Sequence, residues 1–350
     1  MARLCLLVVM FVMSLVSGLH IQSPWEETDS EPASPSSRTL SACGGVQRVN
    51  CGQRPGFSNR YDGWDTIVDD TDDGLDKIIG GSEAQRGEFP WIARVVKVDV
   101  VDGVEHATTL CAGAIINQYW ILTAALCRPS STTPLSALRI VVGNHNVSVW
   151  ETRQQVFRVA NLVTHGSFRG GATYFDYNIA LYKIAPTSHG CGIRYNSLVQ
   201  PICIPEDSVI CPNSGYVVTA GWGYTHNGQE GTSRVLNRVT LQCQDVFECG
   251  QHVFHGESLT ERMFCAGEKH GHTDACTADI GGPAVYLTRG RFVLAGIISH
   301  GTLCYSPNTK VVMTNVPKYR KWVLGTINAV SAGDEDILPD DNIATSSFRG

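Results

Sequence analysis

Cysteine is the residue type whose number and spacing point to covalent chemistry in this chain. There are 13 cysteines among 350 residues, and Cys5 lies in an apolar N-terminal stretch that we expect to be removed, which leaves 12. An even number is typical of a disulfide-linked chain in an oxidising compartment. Metal ligation is the alternative, but there is no CxxC pair and the histidines lack the spacing of zinc sites. We therefore expect disulfides, no metal site and no cofactor.

The first 18 residues predict secretion. Arg3 precedes an apolar run from Leu4 to Val16 that ends in small residues. Such a run is too short to cross a bilayer and is typical of a cleaved signal peptide, with a buried N-terminal helix as the alternative. No later segment is apolar for long enough to span a membrane. One glycosylation sequon, at Asn146, agrees with an extracellular protein, although such triplets also arise by chance.

Composition excludes several function classes. The chain is 43% hydrophobic and 17% charged, which is typical of a globular protein rather than a disordered one. Its net charge is −6 and it has no dense run of lysine or arginine, so a nucleic-acid partner is not expected. Residues 331–350 form an acidic polar tail that lacks the features of a lipid-anchor signal.

Residues 19–77 differ in composition from the segments on their C-terminal side. They contain a linker-like stretch, residues 31–37, and an acidic cluster at residues 69–76. Neither feature supplies a hydrophobic core, so we expect an extended pro-segment that is tied down by cysteine. Its two cysteines, Cys43 and Cys51, are too few for a separate disulfide-rich module.

The rest of the chain, residues 78–330, predicts an all-β domain that ends in a helix. Many short β-branched and aromatic runs between turn residues favour a barrel or a sandwich. The runs that we expect to be strands include residues 91–99, 114–122, 138–142, 216–220, 234–242 and 292–299. After Pro317, apolar residues on one helical face predict a terminal amphipathic helix. They are Tyr319, Trp322, Val323, Ile327 and Val330.

Four segments of this domain occur in an order that is itself informative. They are Ile78-Ile79-Gly80-Gly81 after Lys77, Trp120-Ile121-Leu122-Thr123-Ala124-Ala125-Leu126-Cys127, Tyr177-Asn178-Ile179-Ala180-Leu181, and Asp274-Ala275-Cys276-Thr277-Ala278-Asp279-Ile280-Gly281-Gly282-Pro283. Together they resemble the landmarks of the chymotrypsin/trypsin-like serine proteases, peptidase family S1. The resemblance implies two six-stranded antiparallel β-barrels with the active cleft between them, followed by the C-terminal helix.

The same resemblance indicates that the catalytic triad has been lost. Leu126 stands where the family has the histidine base, Asn178 where it has the aspartate, and Ile280 where it has the serine nucleophile. The chemistry needs a nucleophile, a proton acceptor and a charge that stabilises the imidazolium, and these side chains supply none of them. We expect no displaced active site either, because no histidine lies close to Leu126 in the sequence.

The specificity pocket implied by the resemblance is degenerate. Asp274 matches the aspartate that binds lysine or arginine in trypsin-like members, and Gly301 lies on the pocket wall. Val311 takes the place of a wall glycine and is expected to project into the pocket. Ala278 replaces a glycine on which the oxyanion hole depends. We expect Asp274 to bind water or an internal group rather than a substrate cation.

The activation machinery is the part that the chain keeps. In the family, cleavage frees an α-amino group that forms an ion pair with a buried aspartate, and the matching residues here are Ile78 and Asp279. This predicts cleavage after Lys77 by a trypsin-like activating protease, with inheritance of the pair without use as the alternative.

The disulfide pairing is implied in part. Cys111–Cys127, Cys249–Cys265 and Cys276–Cys304 match family pairs, and Cys203 is expected to hold the pro-segment through Cys51 or Cys43. The remaining pro-segment cysteine, together with Cys191, Cys211 and Cys243, allows three pairings that sequence leaves open.

These features predict a non-catalytic homologue that binds proteins, either active serine proteases or their substrates, as a cofactor, decoy or regulator of an immune or reproductive pathway. The strand edge at Ser299-His300-Gly301 offers main-chain groups for an added strand, as in the relatives. His300 replaces their usual tryptophan and is expected to be an ordinary exposed histidine rather than a pH sensor. The alternatives are an active hydrolase that uses displaced residues such as Thr273 or Thr277, and a structural or storage protein.

Overall fold

The computed structural model describes residues 49–57, 82–170, 175–206, 215–223, 232–245, 249, 259–267, 279–301 and 310–333. Within these ranges 13 strands and one C-terminal α-helix have described bounds. The strands are β1 Ser82–Glu83, β2 Ile92–Val101, β3 Val104–Ile115, β4 Trp120–Thr123, β5 Leu138–Val142, β6 Gln155–Thr164, β7 Ala180–Ile184, β8 Tyr216–Gly221, β9 Asn237–Gln244, β10 Met263–Gly267, β11 Pro283–Thr288, β12 Arg291–Gly301 and β13 Lys310–Asn315.

The first barrel is closed and antiparallel, with the strand order β2-β3-β4-β7-β6-β5. Large apolar side chains of this barrel are fully buried, among them Trp120, Ile140 and Tyr182. Enclosed β-branched and aromatic residues are what the short apolar runs of the sequence predict for such a barrel.

The second barrel closes because β8 pairs with β9, giving the order β8-β9-β10-β13-β12-β11, and the short β1 adds to the outside of β9. The prediction of two six-stranded antiparallel barrels is therefore confirmed. The apolar cluster of this barrel includes Val217, Leu241, Phe264 and Met313.

The run expected to be a strand over residues 114–122 is wrong as a single element. β3 ends at Ile115 and β4 begins at Trp120. Between them Asn117 accepts a hydrogen bond from the backbone of Tyr119 at 2.9 Å, and Ile116 N donates to the Trp120 carbonyl at 3.0 Å. An asparagine side chain that bonds the backbone two residues on turns the chain within an apolar run.

The C-terminal helix is confirmed. A 3₁₀ turn over Val316–Tyr319 contains Pro317 and leads into α1, Arg320–Gly333. Val323 and Ile327 are buried against the core. No helix in the described part of the chain is long and apolar enough to cross a membrane.

Residues 49–57, which belong to the segment expected to be a pro-segment, are bound to the second barrel. Cys51 forms a disulfide with Cys203, which resolves the choice between Cys43 and Cys51. Gly52 donates to the Pro201 carbonyl at 2.8 Å and accepts from Phe292 N at 3.0 Å. Gly52 has φ of 68°, and a Cβ there would lie 2.1 Å from the Phe292 carbonyl oxygen, so only glycine allows this approach.

Candidate binding cleft between the barrels

The three positions expected to have lost catalytic function are carried by short turns next to barrel strands. Leu126 lies in a 3₁₀ turn, Ala125–Cys127, that follows β4. The Cys111–Cys127 disulfide ties this turn to β3, and Tyr182 of β7 donates to the Cys127 carbonyl at 2.7 Å. The position of Leu126 is therefore fixed by contacts on both sides.

Asn178 joins the two barrels through its side chain and its backbone. Its Oδ1 accepts from Leu126 N at 2.9 Å, and its Nδ2 donates to the Ser299 hydroxyl of β12 at 2.7 Å. Its carbonyl accepts from the Thr314 hydroxyl of β13 at 2.8 Å. The side chain is fully buried, at 0% exposed. A neutral amide thus satisfies the groups around it without placing a charge in the cleft.

Ile280 lies on a tight turn between the barrels. Its carbonyl accepts from Ala112 N of β3 at 2.9 Å, and Gly281 N donates to the Ile298 carbonyl of β12 at 2.9 Å. Gly281 has φ of 84°, and a Cβ there would meet the Thr123 hydroxyl at 2.2 Å. The half-buried Ile280 side chain packs against the main hydrophobic core. The structure therefore places Leu126, Asn178 and Ile280 on turns at the junction of the two barrels.

Asp279 is buried next to Gly221, the last residue of β8, and next to Gly223. It accepts from Gly223 N at 2.8 Å, and a Cβ on Gly221 would lie 1.8 Å from Oδ1 of Asp279. Glycine is thus required at position 221 by the close approach of the carboxylate. Ile78, the residue expected to form an ion pair with Asp279, lies outside the described residues, as does Lys77.

The pocket residues are only partly within the described chain. Val311 is 1% exposed and packs in the apolar cluster of the second barrel with Ile298 and Met313. It pairs with Gly301 across β12 and β13. Asp274 lies outside the described residues, together with Thr273, Thr277 and Ala278. The blocked pocket thus stays a prediction.

His300 is not the ordinary exposed histidine that we expected. It is half-buried, and its ring stacks on that of Phe175 with 3.9 Å between centroids. Its Nδ1 lies 3.1 Å from the Ser299 hydroxyl oxygen. Burial lowers the pKa of His300 to about 4, because a charged imidazolium would lose hydration there. The residue remains neutral at physiological pH.

The disulfides in the described part of the chain agree with the pairs that the resemblance implies. Cys249–Cys265 is present beside Cys111–Cys127. Cys191 and Cys243 are each disulfide-bonded. The remaining cysteines of interest, namely Cys43, Cys211, Cys276 and Cys304, lie outside the described residues.

Asn146, the residue of the predicted glycosylation site, lies in a loop after β5. Its Oδ1 accepts from Ser148 N at 2.9 Å, which is an Asx-type turn within the sequon. The loop contacts the second barrel, since Val147 N donates to the Arg234 carbonyl at 2.8 Å and the Trp222 indole donates to the His145 carbonyl at 2.9 Å.

No prediction from the sequence covered two polar groups of the structure, and the buried Arg94 is the first. It lies within an apolar strand, where it donates to Asn144 Oδ1 at 2.6 Å and to the Thr109 hydroxyl at 2.8 Å. Its guanidinium lies 5.6 Å from the ring centroid of Trp222, and burial lowers its pKa to about 10. A single arginine among the β-branched residues of β2 was the available signal.

The second is an ion pair beside the Asn178 segment. Arg262 donates from Nε to Oδ1 of Asp176 at 3.0 Å, and its guanidinium lies 4.6 Å from the Tyr177 ring centroid. Burial by itself raises the pKa of Asp176, but the hydrogen bonds and charge of Arg262 outweigh it and the pKa lies below its ordinary value. Tyr177 has φ of 60°, a left-handed conformation that this cluster holds in place.

Two closed antiparallel barrels with buried turns at their junction define the trypsin-like class of fold. Residues 78–323 match the family model described as trypsin. The chain belongs to the trypsin family.

Known relatives agree with this assignment. The chain is 31% identical to urokinase-type plasminogen activator of Gallus gallus over 257 residues, which are 73% of this chain and 58% of the relative. It is 31% identical to coagulation factor XII of Sus scrofa over 256 residues, covering 71% of this chain and 39% of the relative. It is 30% identical to coagulation factor IX of Cavia porcellus over 248 residues, which are 70% of this chain and 80% of the relative. The chain thus spans less than two thirds of the first two relatives.

Acid is expected to destabilise the protein through His300. The unfolded imidazole takes up a proton near pH 6.5, whereas the folded one does so only at about pH 4. The stability that neutral His300 contributes is therefore fully present above pH 6.5 and is lost as the pH falls towards 4, on the order of 3 kcal/mol in all.

The variant His300→Phe keeps an aromatic ring at the stack and removes the titration. Urea unfolding at pH 7 and at pH 4.5 should show a smaller loss of stability for the variant than for the wild type. His165, whose pKa is also lowered by burial, titrates in both proteins and cancels in the comparison. Equal pH dependence of the two proteins would contradict the burial of a neutral His300.

Proposed function

We propose that this chain is a secreted, non-catalytic member of the trypsin family that binds other proteins. It acts as a cofactor, decoy or regulator in an extracellular proteolytic pathway of an immune or reproductive fluid. The names of its relatives refer to plasminogen activation and coagulation, which supports a place among such pathways. Its partners are active serine proteases or their substrates.

One observation carries the proposal. Asn178 lies between Leu126 and Ser299, and its uncharged side-chain amide is already hydrogen-bonded to both residues. A triad needs a carboxylate there to orient and stabilise a protonated base. Leu126 has no proton acceptor and Ile280 no nucleophilic atom, so the arrangement supports a scaffold rather than acyl transfer.

The open end of β12 supports binding. The pairing of β11 with β12 ends where Pro283 lies opposite Ile297. His300 and Gly301 of β12 pair with β13, which lies on the other side of β12. In the described part of the chain no strand covers the other side of residues 299–301. An extended polypeptide that adds as a strand needs only these main-chain groups.

A displaced active site is the second candidate function, and the Ser299–His300 contact of 3.1 Å is the observation that favours it. The Ser299 side chain, however, belongs to a residue that is 1% exposed and it already accepts a hydrogen bond from Asn178. A nucleophile must reach a substrate carbonyl, so a buried hydroxyl is better explained as a structural group.

Absence of serine-hydrolase reactivity is therefore expected. A fluorophosphonate probe should label the purified chain no more than a heat-denatured sample, and a broad peptide panel should show no turnover, because no activated hydroxyl is available. Ser299→Ala and Thr277→Ala are the matched controls. Labelling or turnover that either substitution abolishes would overturn the non-catalytic function.

Cleavage after Lys77 is the second expected result for the native material. N-terminal sequencing of the secreted protein should reveal a chain that begins at Ile78, since Asp279 is retained and buried. Without reduction the two chains should stay linked through Cys51 and Cys203. Recovery of uncut protein alone would contradict activation cleavage without touching the argument about catalysis.

A further inference from the structure

A chain of hydrogen-bonded side chains runs from Asn178 in the core to the edge of the cleft. Asn178 Nδ2 lies 2.7 Å from the Ser299 hydroxyl oxygen, which lies 3.1 Å from Nδ1 of His300. Asn178 and Ser299 are buried, whereas His300 is half-buried against Phe175. The first two side chains therefore control the environment of a histidine that borders solvent.

The direction of each proton in this chain follows from the donors and acceptors. The Leu126 backbone N–H can only donate, so it requires Oδ1 of Asn178 and leaves Nδ2 facing Ser299. Because Nδ2 can only donate, the Ser299 oxygen must accept from it. The hydroxyl proton of Ser299 then has Nδ1 of His300 as its one acceptor among the described residues.

The tautomer of His300 follows from this direction. If Nδ1 carried the proton, the buried hydroxyl proton of Ser299 would have no acceptor among the described residues, which is an unfavourable state for a buried donor. The neutral ring is therefore protonated on Nε2. Within the described chain Nε2 makes no hydrogen bond, so its N–H is available to a bound molecule.

We propose that Asn178, acting through Ser299, fixes His300 as the Nε2–H tautomer, and that this N–H donates to a carbonyl oxygen of an extended polypeptide bound along the open edge of β12. Asn178 and Ser299 are positioning residues, and His300 selects for an acceptor on the partner. This inference rests on the proposed binding function and adds the chemistry of the group that is recognised.

An aspartate at position 178 would reverse the direction of these hydrogen bonds. Its carboxylate accepts hydrogen bonds only, so the Ser299 hydroxyl would donate to it. The Ser299 oxygen would then accept from Nδ1–H of His300, and Nε2 would become an acceptor. Asn178→Asp thus exchanges donor for acceptor at the cleft edge without changing residue 300.

Nitrogen NMR of the histidine rings in the full chain at pH 7 tests the tautomer. The signal of His300 is identified by its loss in His300→Phe. The wild type should be protonated on Nε2, Asn178→Asp should move the proton to Nδ1, and Ser299→Ala should weaken the wild-type preference. A wild-type ring protonated on Nδ1, or a tautomer that Asn178→Asp leaves unchanged, would overturn the inference.

Binding of acetyl-tetraalanine amide, an uncharged extended probe, tests the donor role. The wild type should bind it at least about fivefold more tightly than Asn178→Asp, because a lone pair would then face the probe carbonyl. Equal affinities would overturn the donor role. No binding to either protein, with the wild-type tautomer as expected, would refute the proposed binding edge while the tautomer assignment stands.

Discussion

Replacing Gly281 with alanine is expected to destabilise the folded protein by about 3–5 kcal/mol, the sum of a left-handed backbone and an overpacked contact. Gly281 has φ of 84°, and a Cβ there would lie 2.2 Å from the Thr123 hydroxyl oxygen and 2.4 Å from the Ala112 carbonyl oxygen. These atoms belong to the first barrel, and the Thr123 hydroxyl donates a hydrogen bond to the Ala112 carbonyl at 2.8 Å. The barrels would have to separate, since neither atom ends a flexible side chain.

Gly290→Ala is the matched control for this prediction. Gly290 has φ of 74°, but a Cβ there would meet nothing within 4 Å. Its substitution should cost only the backbone part, about 1–2 kcal/mol. Urea unfolding of the two variants separates the contributions. If Gly281→Ala were no less stable than Gly290→Ala, the close approach of the Ile280 turn to the first barrel would be wrong.

Removing the Cys51–Cys203 disulfide is expected to have an effect of similar size. The two cysteines are separated by 152 residues. In the uncut chain this disulfide closes a loop of that length, and in the chain-entropy account the loss of this constraint on the unfolded state costs about 5 kcal/mol of stability. The uncut double variant Cys51→Ala/Cys203→Ala should therefore lose that amount in urea unfolding relative to the uncut wild type, and residues 49–57 should become accessible to proteases.

The Cys111–Cys127 disulfide provides the comparison, because its separation is 16 residues. The same account gives about 3 kcal/mol for this short loop. Alanine at both positions should thus destabilise the protein less than the Cys51/Cys203 pair does. Retained stability in the Cys51/Cys203 variant would show that the contacts of Gly52 with Pro201 and Phe292 suffice to bind the pro-segment.

Hydrophobic periodicity and segment order predicted most of the fold. The β-branched runs indicated the strands, because successive side chains of a strand point to opposite faces and those on an enclosed face must be apolar. Runs such as residues 138–142 match a strand to the residue. The error over residues 114–122 arose because the tight turn made by Asn117 between two strands carries no glycine or proline.

The sequence predicted which residues occupy the candidate site but not the contacts that their side chains make. Leu126, Asn178 and Ile280 came from landmarks that lie far apart in the chain, and the amide bonds of Asn178 to Leu126 and Ser299 are visible only in three dimensions. The ion pair of Asp176 with Arg262 spans 86 residues, and nothing in either local sequence names the partner.

The sequence alone determined the family, the order of the segments and the identities of the side chains at the triad positions. Those identities set which groups can donate, accept or carry charge. The tertiary structure decided which cysteine of the expected pro-segment bonds to Cys203, how deeply His300 is buried and which way the Asn178 amide faces. These properties depend on solvent exclusion and on donors brought from distant segments, and a linear pattern of residue types contains neither.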